Sequence, residues 1–509
     1  MEIFWNSGEQ EKIRGLDALG IRRIDQDIER QLVAGVTTIS IRARYLSLLT
    51  WGLAEIFERG AGSDSFSPEA CIEQIETVLP RLQFLILAST VLAEPSGDTT
   101  GALGADLYAD EITALRSGGE AAIPSEGKSA LFGTYVAPAK QFGLVNLSGS
   151  GAVPITIPPR GERIAGQIGI LLKNNPLVDK ILNGGNVSAA EIKAFGAPLS
   201  LNGLIDPQSE RELLLQAFFK PFSDEDGVRK QYDLFRGTCQ AVLDAAKHEA
   251  ITARQFIQRN FQTTCVTPED RPLQQQWADY EAHRRVHYAL ELLLTALSRT
   301  LNLAGSQSIP AVVGALTADS AVAPAISAKI SVPWDWGSAL ADLLAAIRPD
   351  RLFDSPLAPR DARGLEPSSQ AAYGILLIAS VQLSMRSRER LGLWPRRGYR
   401  LRQTLGIVDE TERQALAITL ERLLSEVVVP AHISNALRKM AGGQKCSLRF
   451  FVESDIVRPT GTDNRPGLSG DRLTNVCRML ADLGLLSRDA NGTLSRSSLD
   501  LPAGPFGET

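Results

Sequence analysis

Apolar positions recur every three to four residues along most of this chain, and that period predicts helices. Residues 35–58, GVTTISIRARYLSLLTWGLAEIFE, are the clearest case, with Ile41, Tyr45, Leu48, Leu49 and Gly52 on one face. Gly35 followed by Thr37 and Thr38 supplies a turn and a cap, so a helix is expected over 38–58. Upstream, Ile21, Ile24, Ile28 and Leu32 mark a more polar helix. Ser67-Pro68-Glu69 opens another that runs through Ile72, Ile75 and Val78 towards Leu92. Glycines break 94–127 into loop with short helical pieces. Strong helical pattern returns over 207–306, including long amphipathic stretches at Tyr232–Phe261 and Pro272–Ala304. Residues 307–370 shift to Ala, Pro, Ser and Asp and read as an irregular connector holding one short helix at 338–347. Helices follow at 368–391, 410–427 and 430–441.

Two stretches change period. Over 129–171 a helix ends at Gly143, Leu144–Leu147 and Val153–Ile157 read as strands about a Gly/Ser turn, and a helix opens at Pro158-Pro159. Over 444–500 an apolar strand at Ser447–Val452 precedes a helix at Leu473–Leu480, and Asn491-Gly492 is a strong hairpin dipeptide. Both orders resemble winged-helix modules. The expected fold class is therefore mainly α, a multi-subdomain helical protein with two small winged-helix-like α/β modules. The expected segments are an N-terminal helical domain (1–118), a winged-helix-like module (119–205), a helical domain (206–306), the connector (307–370), a helical segment with a basic patch (371–440) and a C-terminal winged-helix-like module (441–509).

Composition narrows the function classes. The 509 residues are 44% hydrophobic and 22% charged, as in globular proteins, and are too many for one core. A net charge of −5 offers no global attraction for nucleic acid, so any such contact needs a local patch. Five separated cysteines without a CxxC pair point to a reducing compartment and away from a zinc site, and no cofactor is expected. The start has no apolar h-region, and the greasiest run, Tyr373–Leu383, is shorter than the ~20 residues of a membrane span. A cytoplasmic protein without membrane contact is expected.

Four constellations could carry chemistry. AIPSEGKS (122–129) lacks the first glycine of a phosphate-binding loop and no strand is expected before it. Asp179 with Glu191 and Lys193 has the spacing of a restriction-type nuclease, in which two carboxylates hold magnesium and the lysine assists water; yet SAAEIKAF reads as a helix capped by Ser188. His283 and His287 stand i, i+4, but beside Arg284 and Arg285 they read as a solvated face and no metal is expected. The densest positive segment is RSRERLGLWPRRGYRLR, with Arg386, Arg388, Arg390, Arg396, Arg397, Arg400 and Arg402 interleaved with Trp394 and Tyr399. Arginines among aromatics suit phosphate contact with base stacking, and suit slightly better an Arg-rich surface paired with nearby acids. In the 35–58 stretch, Arg42 and Arg44 interrupt an apolar face that Tyr45 and Trp51 anchor. They are expected either to pair with Asp25, Asp27 or Glu29 as a clamp or to reach an external anion.

GVTTISIRARYLSLLTWGL resembles the GTSTIxTRARYFxFxPW signature of a family of uncharacterised bacterial proteins. LRKMAGGQKCSLRFFVESDIVRPT with RLTNVCRMLADLGLL resembles the end of that family. Arg42, Arg44, Tyr45 and Trp51 match; Leu46 stands where the family has Phe and Thr50 where it has Pro, which frees the helix to continue. The resemblance implies a bacterial defence locus and a protein partner, a helicase or nuclease, encoded nearby. The expectation is a non-catalytic component that binds DNA, RNA or that partner. The alternatives are a metal-dependent nuclease using Asp179, Glu191 and Lys193, or a winged-helix transcription regulator.

Overall fold

The computed structural model describes residues 17–60, 68–93, 98–124, 129–146, 156–203, 208–262, 272–346, 364–389, 399–443, 446–467, 471–489, 491–497 and 499. It is mainly helical, with a few short antiparallel strands. In chain order come α1 (Arg22–Leu32), α2 (Arg44–Gly60), α3 (Pro68–Leu92), α4 (Ala109–Arg116), β1 (Glu120–Ala122), α5 (Ala130–Gln141), α6 (Pro159–Leu171), α7 (Pro176–Asn183), β2 (Asn186–Ser188) and α8 (Ala189–Phe195). Next are α9 (Gln208–Phe219), α10 (Asp226–His248), α11 (Ala253–Gln262), α12 (Pro272–Ala304), β3 (Gln307–Ser308), α13 (Ile309–Thr317), α14 (Val322–Ile330) and α15 (Leu340–Ala346). The remainder is α16 (Pro367–Glu389), α17 (Tyr399–Thr411), α18 (Leu416–Leu423), α19 (Val429–Ala441), β4 (Phe450–Glu453), β5 (Ile456–Pro459), α20 (Arg472–Asp482), β6 (Leu486–Arg488) and β7 (Leu494–Arg496).

The chain divides into two compact units, each discontinuous in sequence. One draws on Arg30–Phe256 and Asp471–Thr509; the other on Met1–Glu29 and Ile257–Gly470. Residues 441–470 fall in one unit and 471–509 in the other.

The first unit is built around α2, which packs on α3, α5 and α6 and buries Tyr45, Leu48, Leu49 and Trp51. The helix starts at Arg44, six residues later than expected. The preceding amides are taken by tertiary partners. Thr37 and Ser40 exchange N–H···Oγ bonds of 2.8 and 3.0 Å, and the Ile41 and Arg42 N–H groups both donate to the Tyr135 hydroxyl at 2.9 and 2.8 Å. An aromatic cluster of Phe142, Phe218, Phe219 and Phe235 fills the side towards α9 and α10, Phe142 and Phe218 stacking at 4.3 Å. Helix α3 is long and apolar enough over Ala70–Leu92 to cross a membrane by length and composition, but 78% of its most apolar window is buried in the fold. The pair β1–β2 joins residues 64 or more apart, Ala122 facing Asn186, and has no counterpart among the expected strands. In the 129–171 stretch α5 and α6 flank a single antiparallel bridge, Asn146 to Thr156; the rest of the two expected strands, 147–155, lies outside the described residues. The predicted continuous stretch Tyr232–Phe261 divides into α10 and α11 because Ile251 is drawn out to pair with Leu494 of β7 (N···O 3.1 and 2.9 Å).

In the second unit α12 lies along α16, with α13, α14, α18 and α19 around them and a core running from Leu19 and Ile21 to Phe450 and Val457. The "irregular" connector is largely helical. Pro310 lies in the first turn of α13, behind a Ser308 cap, and Pro324 lies in the first turn of α14. Proline there costs no hydrogen bond, since those N–H groups have no helical partner. The expected 410–427 helix is broken at 412–415 and then passes through a π-helical turn, Leu424–Val428, into α19. Pro430 has no N–H for the Glu426 carbonyl four residues back, and Gln403 Nε2 donates to that oxygen instead, at 2.9 Å. Strands β3, β5 and β4 form one antiparallel sheet in that order.

Gly374 lets α16 approach α12. A Cβ there would sit 2.8 Å from Leu293 Cδ2 and 3.1 Å from the Ala289 carbonyl oxygen. Gly374→Val is expected to cost about 1–3 kcal/mol by overpacking, read as a lower denaturation midpoint; an unchanged midpoint would show that this crossing is loose.

Candidate functional site

The first unit holds a buried guanidinium pair. Arg42 lies in the loop before α2, where its Nε donates to both oxygens of Asp482 at 3.0 Å. Its Nη1 donates to the carbonyls of Asp98 and Thr100 at 2.8 and 3.3 Å, and its Nη2 to Leu201 O and Asn202 Oδ1 at 3.2 and 3.0 Å. All five donors are thereby used. Asp482, at the end of α20, also accepts the Ala43 N–H at 2.8 Å; burial pushes its carboxyl above the usual range, against the pull of Arg42. Arg44, on the first turn of α2, makes a forked pair with Glu210 (3.3 and 3.2 Å) and donates to the carbonyls of Ser200 and Pro198. Both members are at most 1% exposed. The approach is so close that a Cβ on Gly203 would land on the guanidinium. Beside them the Tyr45 ring lies 4.9 Å from that of Tyr135, and its hydroxyl accepts the Leu103 N–H at 2.7 Å; burial raises both phenols. Trp51 is buried on the same helix.

The carboxylates that hold these arginines are thus Asp482 and Glu210, in place of Asp25, Asp27 or Glu29. With their donors engaged inside the fold, the pair serves as a clamp better than as an anion site. Arg44→Met leaves Glu210 charged and buried, which costs about 3–5 kcal/mol. The expected result is a melting temperature lower by roughly 10 °C; normal melting with lost ligand binding would mark a ligand site instead.

The nuclease residues lie on two short helices. Asp179 is on α7, where it accepts from Asn183 Nδ2 at 2.5 Å. Glu191 is the third residue of α8 and completes a capping box with Ser188, its Oε2 accepting Ser188 N–H at 2.8 Å. Its Oε1 meets Lys180 at 3.1 Å, and the Ser188 N–H holds its carboxyl below the usual range. Lys193 lies in the last turn of α8. Glu191 is therefore engaged at a helix start. The AIPSEGKS stretch does follow a strand, β1, contrary to expectation, but that strand pairs antiparallel with β2; residues 125–128 lie outside the described residues.

Of the basic patch, Arg390, Trp394, Arg396 and Arg397 lie outside the described residues, as do the side chains of Arg386 and Arg388. Tyr399 opens α17 at 70% exposure, with the Arg400 guanidinium 5.3 Å from its ring centre; Arg402 is exposed on the same helix.

The second unit contradicts the reading of EAHRRVHY as a solvated face. His283, Arg284, Arg285 and His287 are all buried, at 8% exposure or less. Glu281 pairs with Arg285 at 2.7 Å, and that guanidinium lies 4.5 Å from the centre of the Phe261 ring. Tyr280 donates to Glu29 at 3.2 Å. His287 Nδ1 stands 3.2 Å from Asp25 Oδ2 and its Nε2 3.9 Å from Glu291. Burial opposes protonation of His287, but the two carboxylates outweigh it and push the imidazole up to about 10. His432 is the opposite case. Its Nδ1 faces the Ala18 carbonyl at 3.1 Å and its Nε2 accepts the Arg449 N–H at 2.9 Å, so the ring is neutral; burial lowers it to about 4. These groupings are not legible as a site in the sequence, because Asp25 and Glu29 lie more than 250 positions from His287 and Tyr280, and Ala18 lies 414 from His432.

Comparison with protein-family models, with curated proteins and with solved structures finds no match.

For His432 the folded value lies below the unfolded one, near 6.5. Its contribution is fully present above pH 6.5 and lost as pH falls towards 4, on the order of 3 kcal/mol. His432→Gln, measured in EDTA, is expected to flatten the fall in melting temperature over that window; an unchanged slope would assign acid lability elsewhere.

Proposed function

We propose that the chain is a non-catalytic component of a bacterial anti-phage defence assembly, acting in the cytoplasm and binding a protein partner encoded nearby. Support for a binding scaffold comes from a connectivity that recurs twice. Helix α10, the strand residue Ile251 and helix α11 are followed much later by α20, β6 and β7, with β7 lying between Ile251 and β6. Helix α12, β3 and α13 are likewise followed much later by α19, β4 and β5, with β5 between β3 and β4. Helix–strand–helix, then helix–strand–strand with the last strand central, is an order that winged helices also use, and it supports reading each set as such a module with chain inserted before its third helix.

The third helix of such a module is the one that enters a DNA groove. No residue of α20 is exposed, so that helix is occupied within the fold. On α19, Ser434, Leu437 and Arg438 are exposed, and the β4–β5 hairpin beyond it turns at Ser454-Asp455. This hairpin exposes Phe451 (43%), Val452 (42%) and Ile456 (36%) beside Glu453 and Asp455. Glu453 is paired with Arg458 of the same hairpin at 2.5 Å, so the exposed apolar side chains stand beside a neutralised ion pair; that suits a protein surface, and this cluster is the observation that carries the reading.

A second reading, contact with DNA or RNA, is favoured by exposed Tyr399 with Arg400 over its ring, an arrangement that suits base stacking beside phosphate. The two readings separate by mutation. Phe451→Asp with Ile456→Asp is expected to abolish co-elution with the proteins of adjoining genes while melting stays unchanged; retained co-elution would refute the hairpin as the docking surface. Salt-sensitive binding of a labelled oligonucleotide, lost when Arg396, Arg397 and Arg400 are changed to Glu, would establish the second reading.

A further inference from the structure

We infer that the second unit carries a divalent metal site formed by Asp17, His287 and Glu291. One ligand atom from each lies within 4.8 Å of the other two. His287 and Glu291 are i, i+4 on α12 and so share a face. Asp17 reaches them from the turn before α1, where its backbone adopts φ +68°.

All three are anchored, and Glu291 and His287 each keep a further atom on the side of the other. Asp17 Oδ1 accepts the Ile21 N–H at 2.9 Å, while Asn435 Nδ2 and Lys439 Nζ hold its main-chain carbonyl at 2.8 and 2.9 Å. Glu291 Oε2 accepts from Asn464 Nδ2 at 3.1 Å, leaving Oε1 on the side of the imidazole. His287 Nδ1 faces Asp25, leaving Nε2 on the side of Glu291. A carboxylate on the far nitrogen of a ligating histidine is the usual outer-shell partner, fixing the tautomer and raising the basicity of the ligating nitrogen.

The separation of His287 Nε2 and Glu291 Oε1, 3.9 Å, is too long for a hydrogen bond. It is what two donors on opposite sides of one ion adopt, since Zn–N and Zn–O distances of about 2.0–2.2 Å place ligands roughly 3.3–4.2 Å apart at open angles. Asp25 adds a further observation: it is 1% exposed, and its Oδ1 has no hydrogen-bond partner among the described residues. Three carboxylates surround the imidazole, and half-buried Lys439 and Arg449 are among the cations that feel Glu291. Asp17 is only partly buried, so water can complete the coordination. One imidazole with carboxylate oxygens suits zinc or manganese rather than calcium, which takes six to eight oxygens.

The competing account is that a protonated His287 alone balances the carboxylates. The full-length chain, stripped with EDTA and titrated calorimetrically with ZnCl2 and with MnCl2, separates the two. The metal site predicts one ion per chain, and visible absorption from a cobalt-substituted sample. Asp17→Asn keeps an oxygen for the Ile21 N–H, so the metal-free melting temperature should be unchanged while affinity falls at least about tenfold; Glu291→Gln is the second variant should Asp17→Asn not fold. No uptake in millimolar metal, or uptake that the variants retain, would overturn the site and leave the imidazolium as the balancing charge.

Discussion

A guanidinium taken out of water has to be matched donor by donor, and in the first unit that requirement organises everything near it. Arg42 collects oxygens from Asp98, Thr100, Leu201, Asn202 and Asp482, so distant stretches of chain must arrive before its cost is offset. Arg44 does the same with Pro198, Ser200 and Glu210. The loop before α2 is shaped by this demand: its amides go to Tyr135, Ser40 and Asp482, which is why the helix begins at Arg44 despite apolar periodicity further back. Such a network specifies one arrangement more than it adds net stability, because an apolar core of equal volume would carry no desolvation cost.

Helices whose signal is local are readable from the sequence: the apolar face of α2, the capping box at Ser188 and Glu191, the Asn491-Gly492 turn and the α20 helix. What escapes depends on partners far away in the chain. Pairing of Glu120–Ala122 with Asn186–Ser188 leaves no mark in a window of ten residues. Proline misleads in the connector, where Pro310 and Pro324 sit at the starts of helices that composition predicts they break. EAHRRVHY misleads for a sharper reason. Charge density alone suggests solvent, whereas Asp25, Glu281, Glu291 and Phe261 supply the partners that allow those side chains inside.

The two buried charge centres differ in how completely they are closed. Around Arg42 most of the donors are spent on main-chain carbonyls and an amide, which cannot change charge, so the cluster is held in one state. Around His287 the partners are carboxylates: Asp17 and Glu291 each bring one oxygen within 4.8 Å of the imidazole and of each other, and Asp25 stands on the other ring nitrogen. Closed networks fasten folds; converging lone pairs at a partly buried edge invite a ligand.

Arg42 and Asp482 are separated by 440 positions. A ribosome adding about 5–20 residues per second takes roughly 20–90 seconds to cross that interval. Throughout it, a unit whose chain begins at Arg30 lacks α20 and the β6–β7 hairpin. The apolar face of α10 and the guanidinium of Arg42 must wait, half-assembled, while the whole of Ile257–Gly470 is made. The unit that starts at Arg30 is thus closed only after Asp471 onward has been made, and its seam stays open in the meantime.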